Sequence, residues 1–328
     1  MRNLYLAAYR MLLPRRYRNY LERAGGNEDM CRETLLHGTF YEEYRLYGFA
    51  GKSDAERRGY LTDAVRNRLC RRINGRRGQR TVMSKWLTYC LFSDYYKRQA
   101  WLLSGSADID TFSVEGMKRG RLVAKPVNCC GGRGVRMLKC DTGQQWHEKF
   151  KALLDERDRW IIEECITQDA AMARWNADSV NIVRMNTIFI GGKVTHYTPF
   201  ILTGRCGSFV NNGAQGGIFA SIDAGSGTIV TDGFDEKGKQ YDRHPDSGTL
   251  FRGERIPRWS ELLSVTAAMA ARLPDVTYVG WDMALAPDGW LCVEANKGEF
   301  VAQQVTLGRG LRNEFEKMVG RPSACKKQ

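Results

Sequence analysis

Asp282, Glu294 and Asn296 have the side-chain types and spacing to hold a divalent cation. The runs Tyr278-Val-Gly-Trp-Asp282-Met-Ala and Leu291-Cys-Val-Glu294-Ala-Asn296 are apolar and flank Ala286-Pro-Asp-Gly289, so they predict the two strands of a hairpin. Alternate residues of a strand share a face, which projects Glu294 and Asn296 together. Pairing across the turn can set Asp282, twelve positions before Glu294 (294 − 282), beside them. Two carboxylates and an amide oxygen are hard donors, suited to magnesium bridging nucleotide phosphates. The plainer alternative is a hairpin with solvent-facing acids.

A second group lies upstream. Arg121-Leu-Val-Ala-Lys125-Pro-Val-Asn-Cys-Cys-Gly131-Gly132-Arg-Gly134-Val predicts a strand carrying a lysine, a glycine-rich turn and a return strand. Glycines let the backbone approach a phosphate and present N–H groups to it, and Lys125 adds a cation for the same anion. A P-loop has its lysine after the glycines and before a helix; no G-K-[ST] occurs here, and the spacing also misses G-x-G-x-x-G. An ordinary hairpin turn is the alternative.

The elements that must position these residues are legible in outline. Helical spacing of apolar residues predicts helices over 42–58, 61–72, a segment after Thr81 that includes Lys85, 144–157, 259–272 and near 309–319. β-branched runs separated by glycine turns predict strands at 160–166, 180–190, 193–202, 217–223 and 228–231. Strands with helices folded onto them make an α+β chain.

Composition narrows the class. With 328 residues and 43% hydrophobic content, the chain can bury a sizeable core in two or three lobes. No apolar run reaches the roughly 18 residues of a membrane span, and the arginine-interrupted start does not read as a secretion signal. The ten cysteines show no C-x-x-C pair and no metal spacing, which fits a reducing cytoplasm. The net charge is +13, and residues 1–80 hold 18 Lys+Arg against 9 Asp+Glu, so this quarter carries +9. Residues 1–20 predict a basic amphipathic helix suited to an anionic membrane surface, with a solvated basic face as the alternative. No Ser/His/Asp arrangement or G-x-S-x-G is present for nucleophilic catalysis.

The lysine strand, the glycine turn and the terminal D…E-x-N resemble the ATP-grasp superfamily. Trp160-Ile-Ile-Glu163-Glu164-Cys-Ile166-Thr-Gln168, Ser179-Val-Asn181-Ile-Val-Arg184, Gly204-Arg205-Cys-Gly207, Gly216-Gly217-Ile and His244-Pro-Asp-Ser-Gly are similar to its sugar-transfer-associated branch, over about residues 40–315. The resemblance implies two α+β lobes holding ATP between antiparallel sheets, beside a helical N-terminal region. It divides the chain into a basic helical region (1–80), a small lobe with the glycine lid (81–160), a lobe with the magnesium and catalytic residues (161–320) and a tail (321–328). It implies that Lys85, Lys125, Gly131, Gly132, Gly134, Glu163, Glu164, Ile166 and Gln168 bind ATP. Asp282, Glu294 and Asn296 would bind Mg2+, and Arg184 and Arg205 would serve the transferred phosphate. Ser84 stands where an acid is usual, and Asn211-Asn212 where Asp-Asn is expected. His244 is read as capping a turn, with contact to the acceptor as the alternative.

The activity implied is a carboxylate–amine ligase working through an acyl phosphate, on a sugar acid, amino acid or peptide of surface-glycan or natural-product synthesis. Its partners are small carboxylates and amines, free or linked to glycan or peptide, in the cytoplasm or at the inner membrane surface. An ATP-grasp kinase acting on a hydroxyl shares every motif. A module binding a polyanion or a membrane surface, with a vestigial nucleotide site, is the alternative of another class; nucleic acid is the less favoured polyanion.

Overall fold

The structure is a computed structural model that describes residues 11, 28–129, 132–209 and 216–320. The predicted basic helix of residues 1–20 (Met11 apart), Gly131, Asn211-Asn212 and the tail lie outside the described residues. The chain forms two compact units, one of Met1–Gly75 with Glu299–Gln328 and one of Arg76–Gly298. No described helix is long and apolar enough to cross a membrane.

The first unit is helical: α1 (Glu28–His37), α2 (Tyr41–Leu46), α3 (Asp54–Arg58) and α4 (Asp63–Ile73), joined by helices at Val301–Leu307 and Arg312–Met318. The single helix predicted over 42–58 is broken. Gly48 takes a left-handed turn, Phe49–Gly51 winds as a 3-10 turn, and Ser53 and Glu56 close a capping box that starts α3 afresh. The rings of Tyr44, Tyr47, Phe49 and Tyr60 form the core with Met30 and Cys31. Arg57 forks onto Asp29 (2.9 and 2.7 Å) and reaches Glu33 at 3.2 Å.

Glu43 gives this unit a pH dependence. Burial, then the charge of Asp63, pushes its carboxyl up to about 7, although the Phe40 and Asp63 amides donate to it. The folded pKa lies above the ordinary 4.5, so the contribution to stability is full below about pH 4.5 and is lost as pH rises through 7. The loss is about 3 kcal/mol for a shift of this size. In the other unit burial lowers His196 and His244, which act in the opposite sense and destabilise as pH falls through 6.5. Hydrogen-exchange protection of α2 and α4 should therefore drop between pH 5 and 8, and Glu43→Gln should flatten that drop. An unchanged slope in the variant would reject the assignment.

The second unit begins with α5 (Arg76–Val82) and α6 (Lys85–Tyr96). Its first sheet has strands β1 (Ala100–Leu103), β2 (Arg121–Pro126), β3 (Arg136–Lys139) and β4 (Trp160–Glu164), in the order β1-β4-β2-β3. All neighbours are antiparallel. Helices α7 (Ile109–Arg119) and α8 (Gly143–Glu156) supply Phe112, Trp146 and Phe150 to the core that Leu122, Trp160 and Ile162 share. Thr142 caps α8 with Gln145 in a capping box.

After the short helix α9 (Ala170–Ala173) comes a second sheet. Its strands are β5 (Ile182–Ile190), β6 (Lys193–Thr203), β7 (Ile218–Ser221), β8 (Gly233–Phe234), β9 (Gln240–Tyr241), β10 (Tyr278–Ala286) and β11 (Gly289–Asn296), in the order β11-β10-β5-β6-β7-β8-β9. α10 (Trp259–Ala271) packs in the core that Val183, Met185, Trp281, Met283, Leu285, Trp290 and Cys292 share. The predicted strand at 228–231 contributes only isolated bridges, Ile222 with Ile229 and Thr228 with Arg255. Among the elements outside those predicted are β1, α7, α9, β8 and β9.

Candidate active site

The decisive local feature is a one-residue bulge in β11. The hairpin starts in regular register, with Ala286 opposite Gly289 and Met283 opposite Cys292. Continued without interruption, that register would set Val293 against Asp282 and turn Glu294 to the opposite face. Instead the ladder shifts after Met283, so Asp282 faces Glu294 and Gly280 faces Asn296. Val293, which packs against Ile182, Ala284, Ala286 and Leu291, is the extra residue. Asp282 in turn faces Arg184 on β5, and Gly280 faces Asn186. Cross-strand partners point to one side, so Glu294, Asp282 and Arg184 form one row and Asn296 begins the next.

Within these rows the charges are paired. Arg184 grips Asp282 through a fork, its Nε on Oδ1 and its Nη2 on Oδ2 at 2.9 Å, and Nη1 donates to Asn296 Oδ1 at 3.3 Å. Asn296 Oδ1 also accepts from the Gly298 amide (3.0 Å), while its Nδ2 is buried with no hydrogen-bond partner among the described residues. Lys85, first residue of α6 behind the Ser84 cap, sets its ammonium 3.2 Å from Glu294 and donates to the Cys129 carbonyl at 2.6 Å. Burial alone would raise the Glu294 carboxyl, but Lys85, Lys125 and Arg184 outweigh it and hold the group below the usual range.

Lys125 is buried on β2 and donates to Glu163 at 3.1 Å. Glu163 is itself buried, and there too Arg98 and Lys125 overcome the upward push of burial and keep the carboxylate ionised. In the turn after β2, Gly134 has φ +78° and comes close to Pro126, so any side chain there would be strained and would clash.

The structure brings Lys85, Lys125, Glu163, Arg184, Asp282, Glu294 and Asn296 into one connected set. Others serve elsewhere. Glu164 accepts from Arg119 (2.6 Å) and the Gln99 amide (2.8 Å). Ile166 packs against the apolar patch around Leu291. The Gln168 amide is committed inside its own loop, donating to Asn176 and Ser179 and accepting from Asn181. Arg205 donates to Tyr241 (2.7 Å) and lies 3.6 Å from Asp235, on the β8–β9 side of the sheet. His244 is buried, bonds the Gly204 carbonyl at 2.8 Å and accepts from the Asp246 amide, so it secures a turn.

Gly280 is where this packing is tightest. An added Cβ would come within 2.7 Å of Asn296 Oδ1 and 3.0 Å of Asn186 Oδ1. Gly280→Ala should displace Asn296, destabilise by about 1–3 kcal/mol and weaken magnesium-dependent nucleotide binding more than magnesium-free binding. Equal losses in both conditions would detach Asn296 from the cation.

Two carboxylates and an amide oxygen on one face form a donor set that fits a hard divalent cation, with lysines and an arginine at hand for phosphate oxygens. The family model for sugar-transfer associated ATP-grasp proteins matches residues 65–320. The chain belongs to this ATP-grasp family. Its fold is accordingly α+β, with two antiparallel sheets and a helical N-terminal region.

Solved structures similar to this ATP-grasp chain include D-alanyl-alanine synthetase A from Vibrio cholerae O1 biovar eltor, at 11% identity and TM-score 0.47, covering 75% of this chain and 66% of that one. An L-amino acid ligase from Bacillus licheniformis aligns at 14% identity and TM-score 0.43, over 70% and 44%. A D-alanine–D-alanine ligase from Bacillus anthracis aligns at 14% and 0.43, over 74% and 66%. The chain spans less than two thirds of the length of each. No curated protein matches it.

The residue of this connected set that sequence reasoning missed is Arg98. Beside Lys97, after a helix, it carries no signal separating it from an ordinary surface cation, yet it is buried between Glu163 and the β11 bulge.

Proposed function

We propose that this ATP-grasp protein is an ATP-dependent ligase that joins a carboxylate to an amine. The observation that carries the reading is the bulge-set row of Glu294, Asp282 and Arg184, with Asn296 beside it and Lys85 and Lys125 at hand. Lys85 and Lys125 would hold the ATP phosphates, and the amides of Gly132 and Gly134 would close over them. The strand of Glu163 and Glu164, continuing to Ile166, would lie along the adenine. Asp282, Glu294 and Asn296 would hold magnesium, which when bound supplies positive charge against the phosphate oxygens.

A substrate carboxylate oxygen attacks the γ-phosphorus, the bond from that phosphorus to the β–γ bridging oxygen breaks, and ADP leaves. Arg184 stabilises the charge on the transferred group. The amine nitrogen then attacks the acyl carbon, the bond to phosphate breaks, and the amine loses a proton as the amide forms. The protein positions charged groups and excludes water; no side-chain nucleophile is required. A sugar acid, amino acid or peptide of surface-glycan or natural-product synthesis is the substrate class we favour, because the family is one associated with sugar transfer.

The test is ATP turnover against a panel of carboxylates and amines. Release of ADP and phosphate only with a matched pair, together with an amide product, supports ligation. A phosphorylated product formed without any amine would replace the ligase with a kinase.

A further inference from the structure

Arg98 uses its whole guanidinium. Nε and Nη2 donate to Glu163 Oε2, the former at 3.0 Å; Nη1 donates to the carbonyls of Tyr96 (3.2 Å) and Cys292 (2.6 Å); Nη2 also reaches the Val293 carbonyl at 3.4 Å. All five N–H donors are thereby placed. The side chain is buried and lies over the Tyr96 ring at 4.7 Å.

Two of its partners matter for the site. Cys292 and Val293 are the residues at which β11 bulges, and a bulge leaves backbone groups outside the ladder that need partners. Arg98 supplies donors to both carbonyls and so braces the shift that sets Glu294 opposite Asp282. The third partner, Glu163 Oε2, is the same oxygen that Lys125 uses. One carboxylate is thus shared by two buried cations.

The charges of the connected set follow. Lys85, Arg98, Lys125 and Arg184 are four cations, and Glu163, Asp282 and Glu294 are three anions, a sum of +1. Without Arg98 the sum is zero and Glu163 neutralises Lys125 alone. A buried cation shared in this way keeps attraction for an incoming anion, whereas a fully matched pair offers little.

We propose that Arg98 is a positioning residue with two linked actions: it holds the β11 bulge in register, and by occupying Glu163 it leaves Lys125 able to attract the phosphates of the nucleotide. This inference rests on the nucleotide site proposed above. It differs from a simple strut in one respect: the effect on anion binding depends on charge and is reversible by removing the competing carboxylate.

The experiment measures binding of magnesium ADP and of adenosine by calorimetry. Arg98→Met should weaken ADP binding about tenfold or more and change adenosine binding less than about threefold, since adenosine carries no phosphate. Adding Glu163→Gln restores the charge balance and should recover most of the ADP affinity, although two buried partners are then lost. Arg98→Lys keeps the charge without the fork; it should hold ADP affinity within about threefold and lower turnover through the loosened bulge.

Equal losses for ADP and adenosine with no rescue by Glu163→Gln would reduce Arg98 to a strut. A tenfold loss of ADP affinity in Arg98→Lys would overturn the charge argument even where Arg98→Met does not fold. Lys125→Ala is the control. If it loses ADP while Arg98→Met does not, only this inference fails; if the wild type binds no nucleotide, the site reading fails and takes this inference with it.

Discussion

Arg184→Ala is expected to destabilise the second unit by about 3–5 kcal/mol, the range for breaking a buried ion pair from one side. Asp282 is 4% exposed, and the guanidinium fork compensates its charge. Truncating Arg184 leaves that carboxylate in a poorly solvating site, takes a donor from Asn296 and removes one of the cations that keep Glu294 ionised. The loss therefore exceeds what the missing contacts alone predict. Arg184→Met with Asp282→Asn removes both charges and should recover about half of the stability while remaining inactive. Denaturant midpoints of the wild type, the single variants and the double variant form the necessary cycle. If the single variant lost less than about 1 kcal/mol, Asp282 would have access to solvent or to another cation, and the row would be looser than its geometry indicates.

The amino-acid pattern identified most of these residues without showing how they meet. Lys125, Asp282, Glu294 and Asn296 stand out because acids, an amide and a lysine interrupt apolar strands beside glycines. The α+β class follows from the alternation of β-branched runs and helical periodicity, and the family match over residues 65–320 agrees with the resemblance those motifs carry. The bulge was not legible. Pairing outward from the 286–289 turn in regular register sends Glu294 away from Asp282, and no residue in Leu291-Cys-Val-Glu-Ala-Asn announces a one-residue slip. Its physical support lies about two hundred positions away in sequence, in Arg98, whose burial depends on tertiary packing. The break of the predicted 42–58 helix, by contrast, has local causes in Gly48, Gly51 and the Ser53–Glu56 box, and was open to a closer reading of the turn chemistry.

The same distinction between charge balance and chemistry applies to Gln168 and Arg205. Both match family motifs, yet the Gln168 amide is saturated by loop groups, and Arg205 is held by Tyr241 and Asp235. A motif match gives residue type and order along the chain; hydrogen-bond capacity determines what remains for a ligand. Arg184 differs from both because its partner Asp282 is a proposed cation ligand. A phosphate offered to Arg184 and a divalent cation offered to Asp282 are exchanges of equivalent kind, each replacing one member of the internal ion pair.

Glu294→Gln separates function from fold most sharply, and is expected to lower ATP turnover about 10³-fold, roughly 4 kcal/mol of transition-state stabilisation, while leaving stability within about 1 kcal/mol. The isosteric amide keeps an acceptor for Lys85. The lost pair is partly exposed, with 27% of the Glu294 side chain accessible, so its removal deserves the small value of such pairs. The functional loss is large because the carboxylate is the one acid in the row whose charge is shared among three cations and not gripped by a fork. It therefore remains the most available hard donor for a divalent cation. Removing its charge also raises the sum over the connected set from +1 to +2, so magnesium-free ADP should bind the variant at least as tightly as the wild type, even as magnesium-dependent turnover disappears. That opposition is the informative result: calorimetry with ADP in the presence and absence of magnesium, set beside turnover, distinguishes a lost cation ligand from a collapsed site. If ADP binding without magnesium fell together with turnover, Glu294 would be holding the nucleotide pocket in shape, and the cation assignment would pass to Asp282 and Asn296 alone.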